Sequence, residues 1–202
     1  MQEDNPRCRD FILGLTEIVA RNTAKPALVA AVQALVSSYI SSEGPLPERC
    51  LVTRPDCYAR HLLHVDPVKR FSVVVMVWGA GQKTPIHDHG GMWCVEGVYR
   101  GMIRVTRYDL DAPIADGVGR FHRFEEIEAG VGRTGSLIPP VDYHTIENNH
   151  DSTAITVHIY GGEMSTCQVY MPRPDGAYDA LVKQLTYTSQ PHAAASGATT
   201  PA

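Results

Sequence analysis

From Tyr58 onward the chain consists of short runs rich in Val, Ile, Thr and Tyr, cut every several residues by Gly, Pro, Asp or Asn. Runs of this kind are strands, and the residues that interrupt them are turn formers. The pattern predicts strands near 59–65, 71–78, 85–88, 92–99, 102–109, 120–127, 135–138, 143–147, 153–160 and 166–171. So many short strands, with no repeat at a solenoid period, specify an all-β sandwich or small barrel.

The residues before this region read differently. Phe11, Leu13, Leu15, Ile18 and Val19, then Leu28, Val32, Leu35, Val36 and Ile40, recur at spacings mostly of three and four, the period of an amphipathic helix. Lys25-Pro26 divides the two groups, and proline suits the first turn of a helix, so two helices are expected, ended by Glu43-Gly44-Pro45. They carry no chemistry and read as packing material outside the β-region. Ser189 to Ala202 is mainly Ala, Ser, Thr, Gly and Pro, too poor in apolar side chains to fold. The expected organisation is a helical extension over 1–45, a β-domain over 46–188 and a disordered tail over 189–202.

Composition narrows the function classes. With 18 Lys and Arg against 22 Asp and Glu the formal charge is −4, and no basic patch of the kind that nucleic-acid binding needs is evident. The longest apolar run, Val73 to Trp78, is too short to span a bilayer, and the polar, partly acidic N-terminus is unlike a secretory signal. Five scattered cysteines (Cys8, Cys50, Cys57, Cys94, Cys167) without a CxxC pair do not form a disulfide framework. A cytoplasmic protein with free thiols, binding neither nucleic acid nor membrane, is expected. Nine histidines are the one unusual count, and histidine is the commonest metal ligand.

Two histidine groups stand out. In a strand, residues i and i+2 share a face, so His87 and His89 of Thr84-Pro85-Ile86-His87-Asp88-His89 can hold one metal while Asp88 faces away. Two surface histidines without a metal would explain an isolated HxH as well. Glu96 shares the strand face of Cys94 and offers a candidate fourth ligand. The second group is Ala154-Ile155-Thr156-Val157-His158-Ile159-Tyr160, in which an apolar face alternates with a hydroxyl, an imidazole and a phenol. That polar face is either an exposed edge or a buried hydrogen-bonded chain in which His158 orients the Tyr160 hydroxyl.

The spacing around the first group resembles the first cupin motif, G-x5-HxH-x3,4-E-x6-G, through Gly81, His87, His89, Cys94 and Gly101, with cysteine in place of the glutamate. Pro139 to Asn148, with His144 inside it, resembles the second, P-x-G-x2-H-x3-N, with Val141 in place of glycine and the upstream glycine displaced to Gly132. These resemblances imply a cupin, a small jelly-roll-like β-barrel, with His87, His89 and His144 around one metal. Three neutral imidazoles with open positions suit Fe(II), Zn or another first-row divalent ion.

At a finer level the chain resembles the cysteine dioxygenase family of thiol dioxygenases, from about residue 45 to 188. The resemblance rests on Tyr58-Ala59-Arg60, Trp78-Gly79, His87-Asp88-His89, Cys94, His144 to Asn148 and Thr156 to Tyr160. It implies oxidation of the thiol of a small mercapto acid to a sulfinate by dioxygen, with Fe(II) held by His87, His89 and His144. Thr156, His158 and Tyr160 then stand for the family's serine–histidine–tyrosine triad, and Cys94 for the cysteine that forms a thioether with the tyrosine in animal members. Tyr58 and Arg60 match the carboxylate anchor of members acting on cysteine. Members preferring 3-mercaptopropionate place an arginine after the catalytic tyrosine, and Gly161 to Val169 contains none, whereas His61 to Asp66 and the helices look like that bacterial subgroup. L-Cysteine is the favoured substrate, with 3-mercaptopropionate and mercaptosuccinate open, the latter through Arg173 as a second carboxylate contact. Another metal-dependent cupin enzyme and a small-molecule-binding cupin module are the remaining readings. Oligomeric state is not readable.

Overall fold

The computed structural model describes residues 5–21, 24–140 and 143–188. Val141 and the tail expected to be disordered lie outside these residues. Two helices, α1 (Pro6–Arg21) and α2 (Lys25–Ser41), and a short 3-10 turn (Glu48–Cys50) precede the strands. The first six strands are β1 (Ala59–Val65), β2 (Ser72–Trp78), β3 (Ile86–His87), β4 (Cys94–Arg100), β5 (Met102–Leu110) and β6 (Val118–Gly119). The rest are β7 (Phe121–Gly130), β8 (Thr134–Leu137), β9 (Tyr143–Glu147), β10 (Ala154–Tyr160), β11 (Thr166–Pro172) and β12 (Tyr178–Gln184). They form a five-stranded sheet, order β1-β2-β10-β4-β8, and a seven-stranded sheet, order β6-β12-β11-β3-β9-β5-β7. The fold is a cupin: two curled antiparallel sheets with the helices packed outside.

The five-stranded sheet is covered on both faces, and its sequence explains how. Every residue of β2 and of β10 is buried. Along β2, Val73, Val75 and Val77 join the core beneath the helices, while Val74, Met76 and Trp78 join the core between the sheets. A strand buried on both faces reads as a continuous apolar run, which is what Val73 to Trp78 is. On the outer side, Phe11 and Leu15 of α1 and Val32, Val36 and Ile40 of α2 meet Val95, Ile155, Val157 and Ile159 in one cluster. Phe11 stacks on Tyr39 at 4.2 Å. Gly97 of β4 lets α2 come close, since a Cβ there would stand 2.6 Å from the Ile40 Cδ1. The helices are thus half of a core, not an appendage.

Two strands, β6 and β12, have no counterpart in the expected set. In β12 both Leu181 and Val182 are exposed, so no period-two pattern survives to announce it. The expected strand near 85–88 shrinks to Ile86–His87 because Asp88 leaves the ladder to accept from the Gly90 and Gln168 amides.

The β1–β2 hairpin is tied by Asp66, whose carboxylate accepts from the Arg70 Nε at 2.9 Å and Nη2 at 2.7 Å. The β4–β5 turn rests on Gly101, at φ +74°, where a Cβ would lie 2.9 Å from the Thr153 carbonyl oxygen and 3.0 Å from the Ala154 Cα. Both neighbours are backbone and cannot give way. Gly101→Ala is expected to destabilise the fold by roughly 1–3 kcal/mol, read as a lowered denaturant midpoint; an unchanged midpoint would show that the turn relaxes.

Candidate metal centre

The three histidines come together through one strand pairing. His87 of β3 faces His144 of β9 in antiparallel register, which sets the imidazoles side by side with their Nε2 atoms 3.2 Å apart. His89, two residues beyond His87 in extended chain, turns its ring to the same point, 5.3 Å and 5.0 Å from the other two ring centroids. One ligand atom from each lies within 4.8 Å of the others. Thr84 and Asn148 fix the frame: the Thr84 hydroxyl accepts from the Ile146 amide, and the Asn148 side chain donates to the Trp78 and Ser152 carbonyls.

The tautomers suit a metal. A backbone carbonyl only accepts, so His87 Nδ1, 3.1 Å from the Pro85 oxygen, carries the proton and leaves its Nε2 lone pair facing the cluster. Burial, reinforced by His87 and His89, pushes His144 well below the usual imidazole range and keeps it neutral, the form that ligates. Three imidazoles whose nitrogens converge on one buried point fit a first-row divalent cation, which would take the place of the proton that the His144 and His87 Nε2 atoms share without it.

Behind this cluster runs the polar face of β10. It is not an exposed edge: Thr156, His158 and Tyr160 are all buried. The Trp78 indole donates to the Thr156 hydroxyl at 2.9 Å, and that hydroxyl lies 2.7 Å from His158 Nε2. The expected continuation from His158 to the Tyr160 hydroxyl is absent among the described residues. The two rings lie nearly parallel, 15° apart with centroids at 5.9 Å, so they present faces to each other instead of donor edges. His158 Nδ1 faces Glu96 instead, at 3.6 Å. Burial holds His158 at about 3 and raises Tyr160 well above its ordinary value. Cys94 stands directly opposite Tyr160 in the β4–β10 register.

Glu96 is not where a fourth ligand would be. Its carboxylate lies 3.9 Å from His144 Nδ1, on the side of the ring away from the Nε2 cluster. It is buried, and burial raises its carboxyl to about 7.

The open side of the cluster is a pocket walled by Tyr58, Arg60, Tyr160, Met164, Cys167 and Leu185, among others. Arg60 is 6% exposed; its Nη1 donates to the Thr186 carbonyl at 3.3 Å, and its Nη2 has no hydrogen-bond partner. Tyr58 stacks on Trp78 at 4.7 Å. Arg173 is elsewhere: it is exposed and pairs with Asp175 and Asp179 at 3.6 Å and 3.3 Å, because the β11–β12 hairpin carries it away from the pocket.

With this geometry in place, comparison with known proteins is direct. The family described as cysteine dioxygenase type I matches residues 6–173. The chain belongs to that family. It is therefore a thiol dioxygenase, an oxidoreductase of a metal-dependent family acting on a small thiol with dioxygen. Cysteine dioxygenase type 1 of Rattus norvegicus is 24% identical over 166 residues, covering 81% of this chain and 78% of that one. The Danio rerio protein is 26% identical over 121 residues, 57% of each chain. Among solved structures, a protein with a double-stranded β-helix domain from Klebsiella pneumoniae is 16% identical, with a TM-score of 0.43 over 58% of this chain and 88% of that one.

This thiol dioxygenase brings Tyr58, Arg60, His87, His89, His144, His158 and Tyr160 to one pocket, leaves Glu96 behind the metal cluster and Arg173 elsewhere, and adds one residue that sequence reasoning missed. Lys183 of β12 lines the pocket, opposite Cys167 in register, with its Nζ 5.7 Å from the Tyr58 ring centroid. The strand that carries it gave no readable pattern. Among the described residues lining the pocket there is no Asp or Glu. No helix among the described residues is long and apolar enough to cross a membrane.

Proposed function

We propose that the protein is a non-haem Fe(II) thiol dioxygenase that converts the thiol of a small mercapto carboxylic acid to a sulfinate with dioxygen, L-cysteine first among its substrates. The observation that carries this reading is Arg60: a buried guanidinium with a nitrogen lacking any partner, in the same pocket as three converging imidazoles. A desolvated cation with unused donors is a site for an anion, and the planar guanidinium takes a carboxylate through two parallel hydrogen bonds.

His87, His89 and His144 hold the iron, which when bound favours the thiolate over the thiol and supplies the redox chemistry for dioxygen. Arg60 fixes the carboxylate end, so the sulfur reaches the imidazole cluster in one orientation and an encounter becomes a step within one complex. Tyr58 and Leu185 wall the pocket against water. Tyr160, whose hydroxyl keeps its proton, is a donor toward the reacting sulfur and oxygen, and Thr156 with His158 fixes the wall from which it projects. The chemistry needs no nucleophilic side chain. The five scattered cysteines, with no CxxC pair among them, support a reducing cytoplasm as its location.

Arg60→Gln is expected to raise KM for the thiol by about 10- to 100-fold, the loss of a buried charge-assisted pair, with iron content retained. His144→Ala is expected to lose the iron itself. Oxygen uptake and metal analysis check both; unchanged KM in the first or full iron occupancy in the second contradicts the assignment.

Lys183 favours a second reading of the substrate. Two cations and no carboxylate line the pocket, so a thiol with two carboxylates, mercaptosuccinate, fits its charge better than a zwitterion does. Oxygen uptake with L-cysteine, 3-mercaptopropionate and mercaptosuccinate decides between them. If the dicarboxylate is used, Lys183→Met should lower its kcat/KM about tenfold and leave L-cysteine turnover unchanged; equal losses on both would remove Lys183 from specificity.

A thioether between Cys94 and Tyr160 belongs to the same proposal, supported by their direct cross-strand pairing, which brings Cβ atoms to roughly 5 Å. Its formation expels the thiol hydrogen and a ring hydrogen, the two electrons passing to dioxygen. Peptide mapping after aerobic turnover should find a linked peptide lighter by two hydrogens, and only free Cys94 would exclude it.

A further inference from the structure

Glu96 is buried in the wall between the metal centre and a second cavity of about 100 Å³, and nothing in the chemistry above uses it. One of its oxygens, Oε2, has no hydrogen-bond partner, and neither does His144 Nδ1. Leaving such groups buried and unpaired is unfavourable, so their proximity needs an explanation.

Proton placement gives one. If His144 binds a metal through Nε2, as the proposed function requires, its remaining proton sits on Nδ1 and needs an acceptor. The Nδ1 atom is 3.9 Å from Glu96 Oε1. His158 leads to the same carboxylate from the other side. The Trp78 indole is a donor only, so Thr156 accepts from it and is left with its own hydroxyl proton to give. The acceptor within reach is His158 Nε2, at 2.7 Å. His158 therefore carries its proton on Nδ1, which is 3.6 Å from Glu96 Oε2. The two N–H groups thus face the two oxygens of one carboxylate, each about half an ångström or more beyond hydrogen-bond length, so the pairing requires the glutamate side chain to move toward both rings. The cavity on that side is lined by Val98, Ile103, Val105 and Leu137 along with Glu96 and two cations, Arg107 and Arg133, so no other carboxylate is at hand.

We propose that Glu96 is a positioning residue that accepts from His144 Nδ1 and His158 Nδ1 together, fixing the metal-binding tautomer of His144 and joining the metal centre to the Trp78–Thr156–His158 chain. Donation then runs Trp78 to Thr156 to His158 to Glu96, and from His144 to Glu96. Glu96 does not touch metal or substrate. A carboxylate behind a ligating imidazole orients the ring and raises its basicity, and its loss costs roughly 10–100-fold in metal affinity.

The test compares the full chain with Glu96→Leu and Glu96→Gln, using Co(II) titrated by its visible absorption, Fe(II) titrated against a competing chelator, and the melting temperature without metal. Glu96→Leu should bind both metals roughly 10–100-fold more weakly. Its metal-free melting temperature should equal or exceed the parent's, because a buried carboxylate with an unpaired oxygen is gone. Glu96→Gln should lose less, since its carbonyl oxygen serves one of the two N–H groups, and being isosteric it carries the test even if the leucine variant fails to fold. Parent-like metal affinity in Glu96→Gln and Glu96→Leu would overturn the proposal, as it would if a water in the cavity were the acceptor. So would a lower metal-free melting temperature with unchanged affinity, the mark of a merely structural glutamate. A parent that binds no metal would overturn the metal-centre reading itself, and is distinguishable from either.

Discussion

The burial of β10 on both faces is the constraint on which the rest of the molecule depends. The strand lies between β2 and β4, and its alternation sends Ile155, Val157 and Ile159 toward the helices and Thr156, His158 and Tyr160 toward the barrel. The apolar half is stable only if something apolar covers it, and α1 and α2 do so. The polar half is tolerable only if its groups find partners in a place without bulk water. That second requirement recruits Trp78 from β2 and, in the arrangement proposed above, Glu96 from β4, the strands on either side. One period-two pattern thus calls for both the outer helices and the inner polar network.

The electrostatics of the interior separate into two compartments. On the substrate side are Arg60, Lys183 and the converging imidazoles, with no carboxylate among the described lining residues. Behind His144 is Glu96, with its carboxylate turned away from the pocket. A negative group inside the pocket would compete with an anionic substrate for Arg60, whereas the same charge behind a ligating imidazole would strengthen the ligand. The His144 ring is the partition between the two, and under the proposed function this division would let a site attract an anion while holding a cation.

Much of this was legible in the sequence, because the features that matter are strictly periodic. The alternation in β10 survives any uncertainty in strand ends, since a strand's faces depend on parity alone, whereas the i, i+2 spacing brought His89 to the cluster although it lies past the end of β3. The helices were readable from the three-and-four spacing that faces the sheet. What was not legible depends on long-range packing. Lys183 reaches the pocket on β12, whose exposed Leu181 and Val182 spoil the alternation. Arg173 looked close along the chain but is carried off by the hairpin it begins. Glu96 was correctly set on the Cys94 face, yet which nitrogen of His144 it would meet depends on the orientation of a ring that spacing does not encode.

The proposed anion anchor shows how far apart in sequence a single contact surface is assembled. Arg60 sits in β1, beside the last described residues: its amide donates to the Thr188 hydroxyl at 3.0 Å, its carbonyl accepts from the Thr188 amide at 2.7 Å, and its guanidinium donates to Thr186. Its guanidinium also lies over the Tyr187 ring at 5.4 Å. Those contacts use one face of the guanidinium and one of its terminal nitrogens, and leave Nη2 for the pocket. A long, flexible side chain ordinarily loses much rotamer freedom when it grips a ligand. Here the ends of the β-region bear that cost during folding, so under the proposed function the arginine would meet a carboxylate already oriented, and the segment after β12 would be as much a part of the binding site as the residues that face the thiol.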